Sequence, residues 1–340
     1  MASRMLEEAR EAPAAVARQL AAGQEACEAF GERLRAAPPA SILTLARGSS
    51  DHAAHFAAYL VMARLGRLVA SLPMSVVTLY GARLRAEGLL ALAFSQSGRS
   101  PDLVETTRAF TQAGATTVSF VNDAASPLAA ASRHVFALAA GEERSVAATK
   151  SFIAQLVAGA RLVAAWQGDA ALASALPALP AALEKASRTD WTEGIDALRT
   201  ADRLYVLGRG TGLALAMEAA LKLKETGGIQ AEALSGAELR HGPLALVGPG
   251  YPVIVFAPRG PAQAGLLETA ADLRARGARV LLAAPPDDAP AELPLVAAPH
   301  EDLDPVTAIQ SFYPMAEALS RARGRDPDRP PHLAKVTLTH

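Results

Sequence analysis

The stretch LLALAFSQSGRSPDLVET (89–106) joins six apolar residues to a cluster of hydroxyls and then to a Pro-Asp pair. The apolar run predicts a strand buried on both faces, and the Pro-Asp pair is typical of the first turn of a helix. A buried strand followed at once by a helix is part of a βαβ unit, from which parallel α/β sheets are built.

The neighbouring segments alternate in the same way. ILTLA (42–46) precedes the helical pattern DHAAHFAAYLVMARL (51–65), and DLVETTRAFTQAG (102–114) precedes TTVSFV (116–121). Strands separated by helices of this length predict βαβ units and a parallel sheet that is covered on both faces.

This pattern occurs twice in the chain. SILTLARGSSDHAAHFAAYL matches DRLYVLGRGTGLALAMEAAL, so Gly48 corresponds to Gly210. LLALAFSQSG matches YPVIVFAPRG, so Gly98 corresponds to Gly260. Both pairs lie 162 residues apart (210 − 48 and 260 − 98), and AFTQAGATTVSFV matches DLRARGARVLLAA at nearly the same offset. The matches predict two copies of one α/β unit.

The sequence therefore predicts an α/β protein with two similar doubly wound domains, at 35–165 and 195–320. A helical arm over 1–34 precedes them, and a helical connector rich in Ala and Pro, over 166–194, separates them. The last segment, 321–340, contains several prolines and is predicted to be an irregular tail.

Composition argues against several classes of protein. Charged residues make up 20% of the chain and the formal net charge is -1, so no nucleic-acid partner is expected, since such a partner favours a basic face. The single cysteine, Cys27, allows no intrachain disulfide and predicts a cytoplasmic location. Acidic residues interrupt the first 20 residues, so no signal peptide is expected, and no apolar run is long enough to span a membrane.

Ser95, Gln96, Ser97 and Ser100 follow the strand, at the end where parallel sheets bind their ligands. Backbone N–H groups at a helix N-terminus and short hydroxyl side chains together bind an anion without a full positive charge. A single serine here is as often an ordinary helix cap, but the cluster favours a phosphate site. The second copy has APRGPA in place of SQSGRS, so it lacks these hydroxyls.

Other ligand-binding motifs are absent from the sequence or incomplete. No G-x-x-x-x-G-K-[ST] motif occurs, and GRGTGL (208–213) places its third glycine one residue too early for a dinucleotide fingerprint. His52 and His55 lie three apart on a predicted helix, and we expect them to be structural because they lack carboxylate partners. No metal site is predicted.

The segment MEAALKLKETGGIQAEALSGAELRHGPLALV (217–247) is the densest in titratable groups. Lys222 and Glu225 lie three apart on a predicted helix and share a face, which is also the spacing of an ordinary surface ion pair. His241 follows in a loop that contains Glu232 and Glu238. Because His and Glu are the usual agents of proton transfer, this segment is a candidate catalytic site.

Five motifs, in order along the chain, resemble one known family. They are SQSGRS (95–100), ATKSF (148–152), EAALKLKET (218–226), AELRHGPLAL (237–246) and PPHLAKVTLT (330–339). The chain resembles the SIS (sugar isomerase) family, in particular the isomerase half of glucosamine-6-phosphate synthase and its stand-alone glucosamine-6-phosphate deaminase relatives. The resemblance implies two tandem flavodoxin-like SIS domains and a homodimer with shared active sites.

The resemblance also implies roles for particular residues. The phosphate and sugar contacts fall on Ser95, Gln96, Ser97, Ser100, Ser50, Val146 and Ala148. Glu225 corresponds to the residue that moves a proton between C1 and C2, and Lys222 lies beside it. His241 corresponds to a ring-opening histidine that reaches the neighbouring subunit's site. Lys335 corresponds to a lysine that forms an imine with the open-chain ketose, and we expect the tail to carry it over the active site.

The chain departs from the synthase pattern at several positions. It begins MASRM, without the N-terminal cysteine and amidotransferase domain, so we expect that glutamine is not the nitrogen source. Arg47 stands in place of a cysteine, Ala148 in place of a serine and Gln230 in place of a histidine. These departures affect the expected contacts around the amino and hydroxyl groups of the sugar.

The resemblance and the residues together predict an aminosugar-phosphate deaminase that converts glucosamine 6-phosphate to fructose 6-phosphate and ammonia, with no cofactor. Two other activities remain open: an isomerase that forms glucosamine 6-phosphate from ammonia, and a deglycase acting on a phosphosugar amine. A sugar-phosphate sensor is the alternative without catalysis. A sensor usually carries a DNA-binding helix-turn-helix, which is not evident in the first 40 residues.

Overall fold

The structure, a computed structural model, describes residues 2–335 of the chain. These residues form two compact units, which we call the N-terminal and C-terminal sheet units. The N-terminal sheet unit contains residues 14–143, 150–177 and 334–335. The C-terminal sheet unit contains residues 2–13, 144–149 and 178–333. The last five residues of the predicted tail, 336–340, lie outside the described residues.

The N-terminal sheet unit contains a five-stranded parallel sheet. Its strands are β1 (Ser41–Leu45), β2 (Val69–Ser71), β3 (Leu89–Ser95), β4 (Thr116–Val121) and β5 (His134–Ala137). Their order is β2-β1-β3-β4-β5, which is the doubly wound order of flavodoxin. The first strand pairs with β2 on one side and β3 on the other, so the strand order reverses between β1 and β3.

The C-terminal sheet unit repeats this topology. Its strands are β6 (Arg203–Gly208), β7 (Gln230–Ser235), β8 (Pro252–Phe256), β9 (Arg279–Ala284) and β10 (Leu293–Pro294). Their order is β10-β9-β8-β6-β7, again with parallel pairs throughout. When β6 to β10 are numbered 1 to 5 and the sheet is read from the β7 edge, the order is 2-1-3-4-5, as in the first sheet. The prediction of two tandem flavodoxin-like domains is confirmed.

Helices connect the strands and precede them. They are α1 (Arg4–Arg10), α2 (Ala12–Ala21), α3 (Gln24–Ala36), α4 (Gly48–Leu65), α5 (Ser75–Thr78), α6 (Pro101–Gln112), α7 (Pro127–Ala131), α8 (Lys150–Gln167), α9 (Ala170–Ala175), α10 (Leu179–Ala186), α11 (Thr192–Leu198), α12 (Thr211–Lys222), α13 (Gln263–Ala275) and α14 (Asp304–Ala322). A π-helical turn, Leu223–Gly227, continues α12. None of the described helices is both long enough and apolar enough to cross a membrane.

The strands are apolar because both faces of each sheet are covered. In β3 every residue after Leu89 is buried, and Phe94 stacks on Phe120 of β4. A second core lies in the C-terminal sheet unit, where Val253 and Val255 of β8 are fully buried. Burial of apolar area at about 25 cal/mol per Å² is the main driving force for such layers.

Each compact unit takes in segments that are distant in sequence. Helix α1 packs on α14 within the C-terminal sheet unit. The Asp328 carboxylate accepts hydrogen bonds from the backbone N–H groups of Arg4 and Met5, and Ser3 Oγ donates to Glu317. The first helix of the predicted arm is therefore held by residues from the end of the chain.

Candidate active site

The serine loop, residues 95–100, leaves the buried strand β3 and enters α6. Ser95 Oγ accepts a hydrogen bond of 2.9 Å from the N–H of Gly98, and Ser97 Oγ accepts one of 3.3 Å from the N–H of Arg99. Gly98 has φ +63°, and a Cβ at this position would collide with the Ser126 hydroxyl. The loop is thus a tight turn that depends on a glycine and on its own hydroxyls.

Ser100 occupies the N-cap position of α6, but its side chain makes no cap hydrogen bond. Pro101 follows at the first helical position, and the carboxylate of the buried Asp102 accepts the N–H of Leu103. The Ser100 hydroxyl, half-buried like Gln96 and Ser97, is therefore not used to close the helix. That arrangement fits a ligand contact better than an ordinary cap.

Arg47 neutralises the one buried carboxylate at the start of α6. Its Nε and Nη2 atoms each lie 2.9 Å from Asp102 Oδ2, and its side chain is 49% exposed. Arg47 follows β1, whereas Asp102 follows β3, so this ion pair bridges the two strands where the sheet order reverses. Ligands of doubly wound sheets bind at this position. Sequence reasoning noted Arg47 only as a departure from the synthase pattern and missed this pairing.

Ser50 lies in the first turn of α4, at the same edge of the N-terminal sheet. Its hydroxyl accepts a 3.0 Å hydrogen bond from Nε2 of the buried Gln155 on α8. Since β1 and β3 are paired in register up to Leu45 and Ala93, Ser50 and the serine loop follow adjacent strand ends. The structure thus groups five of the predicted substrate-binding residues at one edge of one sheet.

Val146 and Ala148 lie in a different unit, in the segment 144–149. The carboxylate of Glu8, on α1, accepts the backbone N–H groups of Arg144 (2.5 Å) and Ser145 (3.1 Å). Glu8 is buried, so this segment is fixed by a carboxylate from the predicted helical arm. The sequence contains no periodic signal for this contact, and Glu8 was not predicted.

Lys222, Glu225 and Glu218 form a buried charge cluster, which we call the Lys222 cluster, in the C-terminal sheet unit. Lys222 Nζ donates a 2.6 Å hydrogen bond to Glu225 Oε2 and lies 3.4 Å from Glu218 Oε1. The Lys222 and Glu218 side chains are fully buried, while the Glu225 side chain is 17% exposed. Glu218 is one turn before Lys222, and this spacing of four residues is a signal that sequence analysis overlooked.

Lys222 is the cation that both carboxylates of this cluster contact. Burial lowers the pKa of the Lys222 ammonium, but the carboxylates of Glu218 and Glu225 outweigh burial, so its pKa is raised above its usual value. Lys222 therefore remains a cation between two carboxylates. Glu225 lies in the π-helical turn, and such turns occur frequently at functional sites. Of the two carboxylates, only Glu225 is open to a ligand.

His241 lies on an exposed loop in the same unit as this cluster. It ends the short 3₁₀ turn Glu238–Arg240, and its backbone N–H donates to the Glu238 carbonyl at 2.9 Å. Glu232, on β7, and Glu238 are also exposed. The exposed imidazole is accessible to substrate or to a second subunit.

Lys335, at the end of the described chain, belongs to the N-terminal sheet unit. Its Nζ donates a 2.9 Å hydrogen bond to Oε2 of Glu143, whose side chain is fully buried. Glu143 lies between β5 and α8 and was not predicted as a site residue.

The histidines of α4 were expected to lack carboxylate partners, and this expectation was wrong. Asp51, on the same helix, interacts electrostatically with both His52 and His55. Burial is the main cause of the lowered pKa of His55 and of the raised pKa of Asp51. Within residues 2–335, no three His, Cys, Asp or Glu side chains form a group that could hold a metal ion.

Comparison with known proteins identifies the family. A model of the SIS domain matches residues 37–165 and 197–288, which together are more than half of the chain. The protein belongs to the SIS domain family.

Its curated relatives include two enzymes named glutamine–fructose-6-phosphate aminotransferase (isomerizing). The enzyme of Aeropyrum pernix is 34% identical over 314 residues, covering 87% of this chain and 50% of the relative. That of Methanothermobacter thermautotrophicus is 34% identical over 351 residues, covering 97% and 56%. The chain spans about half the length of the curated relatives it matches.

Solved structures share the fold over nearly the whole chain. A proposed phosphosugar isomerase from Silicibacter pomeroyi DSS-3 is 44% identical with a TM-score of 0.90, covering 96% of this chain and 100% of that one. The C-terminal domain of glucosamine-fructose-6-phosphate aminotransferase from Francisella tularensis is 26% identical with a TM-score of 0.86, covering 97% and 99%. Glucosamine-6-phosphate deaminase from Thermotoga maritima, at 22% identity and a TM-score of 0.79 over 99% and 100%, shows the fold alone.

Proposed function

We propose that the protein is an aminosugar-phosphate deaminase, an aldose-ketose isomerase that converts glucosamine 6-phosphate and water to fructose 6-phosphate and ammonia. Its relatives include enzymes named for amino transfer to fructose 6-phosphate and for isomerisation of phosphosugars. Deamination uses the same carbon chemistry, since it moves a proton between C2 and C1 of an amino sugar.

The observation that carries the proposal is the Glu225 carboxylate. A general base needs an accessible oxygen and a defined orientation. Glu225 has both, because one oxygen accepts the 2.6 Å hydrogen bond from the buried Lys222 ammonium while part of its side chain remains exposed. The fully buried Glu218 already provides Lys222 with an ion-pair partner, so Glu225 is not needed for that structural purpose.

The serine loop supplies the proposed phosphate anchor. Ser97 and Ser100 are half-buried, and the Ser100 hydroxyl does not cap its helix. A phosphate accepts hydrogen bonds, and each one from a hydroxyl or N–H to a charged oxygen contributes about 1.5–3 kcal/mol. Ser50 and Ser95 would complete the polar surroundings of the sugar phosphate, with Gln96, Val146 and Ala148 as further contacts.

The proposed steps balance without a redox change. His241 assists ring opening to the C1 aldehyde, after which Glu225 takes the C2 proton and returns it to C1. In the same step O1 gains a proton and the amino nitrogen loses one, which leaves a hydroxyl at C1 and an imine at C2. The amine of Lys335 adds to C2 and displaces ammonia, and water then releases fructose 6-phosphate and the free lysine. Lys222 keeps Glu225 oriented throughout. We further propose that the enzyme is a homodimer in which His241 serves the partner's reaction.

The reverse direction is a second candidate, favoured by the names of the curated relatives. An isomerase that forms glucosamine 6-phosphate from fructose 6-phosphate and ammonia would use the same residues. A deglycase would instead release a larger amine from the same carbon. These reactions differ in the nitrogen compound that is released or consumed.

The test is an assay of the purified chain with a panel of amino-sugar 6-phosphates. We expect ammonia and ketose phosphate in equal amounts from glucosamine 6-phosphate. The Glu225→Gln variant should lose about 10²- to 10⁴-fold in turnover, while Glu232→Gln, an exposed carboxylate of the same unit, serves as the matched control. Consumption of added ammonia without net release would favour the reverse reaction. Release of neither ammonia nor another amine, with tight sugar-phosphate binding, would favour a sensor.

A further inference from the structure

Glu143 is a buried carboxylate that the proposed reaction has not yet used. Its side chain has no exposed surface, and both Ser151 and Lys335 donate hydrogen bonds to it. The Ser151 N–H donates to Oε1 at 3.1 Å, while Ser151 Oγ (2.5 Å) and Lys335 Nζ (2.9 Å) donate to Oε2. A carboxylate removed from water is costly unless such donors replace the water.

Two of these donors hold Glu143 independently of the tail. Ser151 is the second residue of α8, so its N–H is one of the helix donors without a partner inside the helix. The Ser151 hydroxyl approaches from the same residue. The N-terminal end of a helix also favours a negative charge. Glu143 is therefore held in one orientation by its own unit.

The position of the Lys335 amine depends on Glu143, whereas Glu143 is also held by Ser151. Lys335 lies 192 residues away in sequence, in a segment without helix or strand, and its side chain is 22% exposed. A flexible lysine on an irregular segment loses much conformational freedom when its amine is fixed at one point. The contact with a buried, doubly bound carboxylate supplies the compensating interaction.

We propose that Glu143 is the positioning residue for the Lys335 amine in the deamination reaction. This inference rests on the proposed function, because the amine has a chemical role only if Lys335 adds to the sugar. Glu143 itself does not touch the substrate in this scheme. The Glu143 carboxylate holds the Lys335 amine in place until the nitrogen bonds to C2 of the sugar imine.

The contact is tested first by chemical labelling, which needs no substrate. Acetic anhydride acetylates accessible amines, and mass spectrometry measures the rate at Lys335 relative to the exposed Lys185. In the Glu143→Gln variant we expect labelling of Lys335 to rise about tenfold, the factor that corresponds to about 1.4 kcal/mol for a lost charge-assisted hydrogen bond. Glu142→Gln, an exposed neighbour, is the matched control and should change nothing.

The positioning role is tested by kinetics. Glu143→Gln should lower kcat for ammonia release about tenfold or more with little change in KM, because the phosphate contacts are untouched. In a Lys335→Met background, adding Glu143→Gln should not lower kcat further. If Glu143 had a purely structural role, kcat would fall further in the double variant. Ser151→Ala keeps both charges but removes the hydroxyl that orients the Glu143 carboxylate. It should therefore raise labelling of Lys335 by a smaller factor, and it tests the contact if Glu143→Gln folds poorly.

The outcomes separate this inference from the proposed function. Unchanged labelling of Lys335 in folded Glu143→Gln and Ser151→Ala proteins would overturn the contact, whatever the activity. Raised labelling with unchanged kcat would overturn the positioning role. If the wild-type chain releases no ammonia from any sugar phosphate, the proposed function fails, and the labelling alone still decides whether Glu143 holds Lys335.

Discussion

Replacing Lys222 and replacing Glu225 should distinguish the stability contribution of the Lys222 cluster from its proposed catalytic role. Lys222→Met keeps an unbranched apolar side chain and removes the ammonium. In the wild type this ammonium lies 2.6 Å from Glu225 and 3.4 Å from Glu218. Removing one partner of a buried ion pair costs about 3–5 kcal/mol, because the remaining charge is uncompensated. Proteins are typically stable by about 5–15 kcal/mol, so the loss should be large.

Glu225→Gln is the matched variant. Its amide oxygen can still accept the Lys222 hydrogen bond, and the buried ion pair with Glu218 remains. We therefore expect a loss of about 1 kcal/mol in stability, the net value of a typical hydrogen bond, although turnover falls about 10²- to 10⁴-fold. Urea unfolding followed by circular dichroism measures the first quantity, and ammonia release measures the second.

The pH dependence adds a third readout. The pKa of Lys222 is raised in the folded state, so its contribution to stability is complete below the usual value of 10.5 and is lost as pH rises through the folded-state pKa. The stability difference between wild type and Lys222→Met should therefore be constant at neutral pH and shrink in strong alkali. Equal destabilisation by Lys222→Met and Glu225→Gln, or near-normal turnover of Glu225→Gln, would refute this reasoning.

Three further predictions concern the serine loop and the subunit arrangement. Ser97→Ala and Ser100→Ala should each raise KM for glucosamine 6-phosphate about 10- to 100-fold and leave the binding of unphosphorylated glucosamine unchanged. Equal weakening of the binding of both sugars would contradict a phosphate anchor. Gly98→Ala should destabilise the protein by about 1–3 kcal/mol, because its φ of +63° is strained for alanine and the added Cβ would collide with Ser126. An unchanged melting temperature of the variant would contradict this prediction. Mixing inactive Glu225→Gln with inactive His241→Asn should restore part of the activity if subunits share sites, whereas a mixture that exchanges subunits and stays inactive would exclude sharing.

The repeated core of the fold was predictable because its signals are periodic. The central strands β1, β3 and β4 lie within a residue of the apolar runs that predicted them. Strands such as β2 and β10 were not predicted, since three or two residues are too few to show a pattern. Their position at the sheet edges follows from the doubly wound order rather than from their own sequence.

The candidate site was predictable only in part, for a related reason. The spacing of Lys222 and Glu225 placed them on one face, and the structure confirms that they form a pair. The π-helical turn around Glu225 has no simple signature in the sequence. Glu8 and Glu143 were missed because their contacts with Arg144 and Lys335 span 136 and 192 residues, and single carboxylates carry no sign of such contacts.

The two copies of the repeat have diverged at their equivalent loops, and only the first copy has the serine hydroxyls of the proposed phosphate anchor. In the second copy, the Arg259 guanidinium donates to both oxygens of the buried Asp304 and to the Ala298 carbonyl, at 2.6–2.8 Å. Hydrogen bonding to Asp304 raises the pKa of Arg259, so its charge is already matched by a carboxylate. In the first copy Arg47 and Asp102 are likewise paired, but the serine hydroxyls remain beside them. The proposed phosphate anchor therefore relies on neutral donors rather than on net charge, so it is compatible with a formal chain charge of -1.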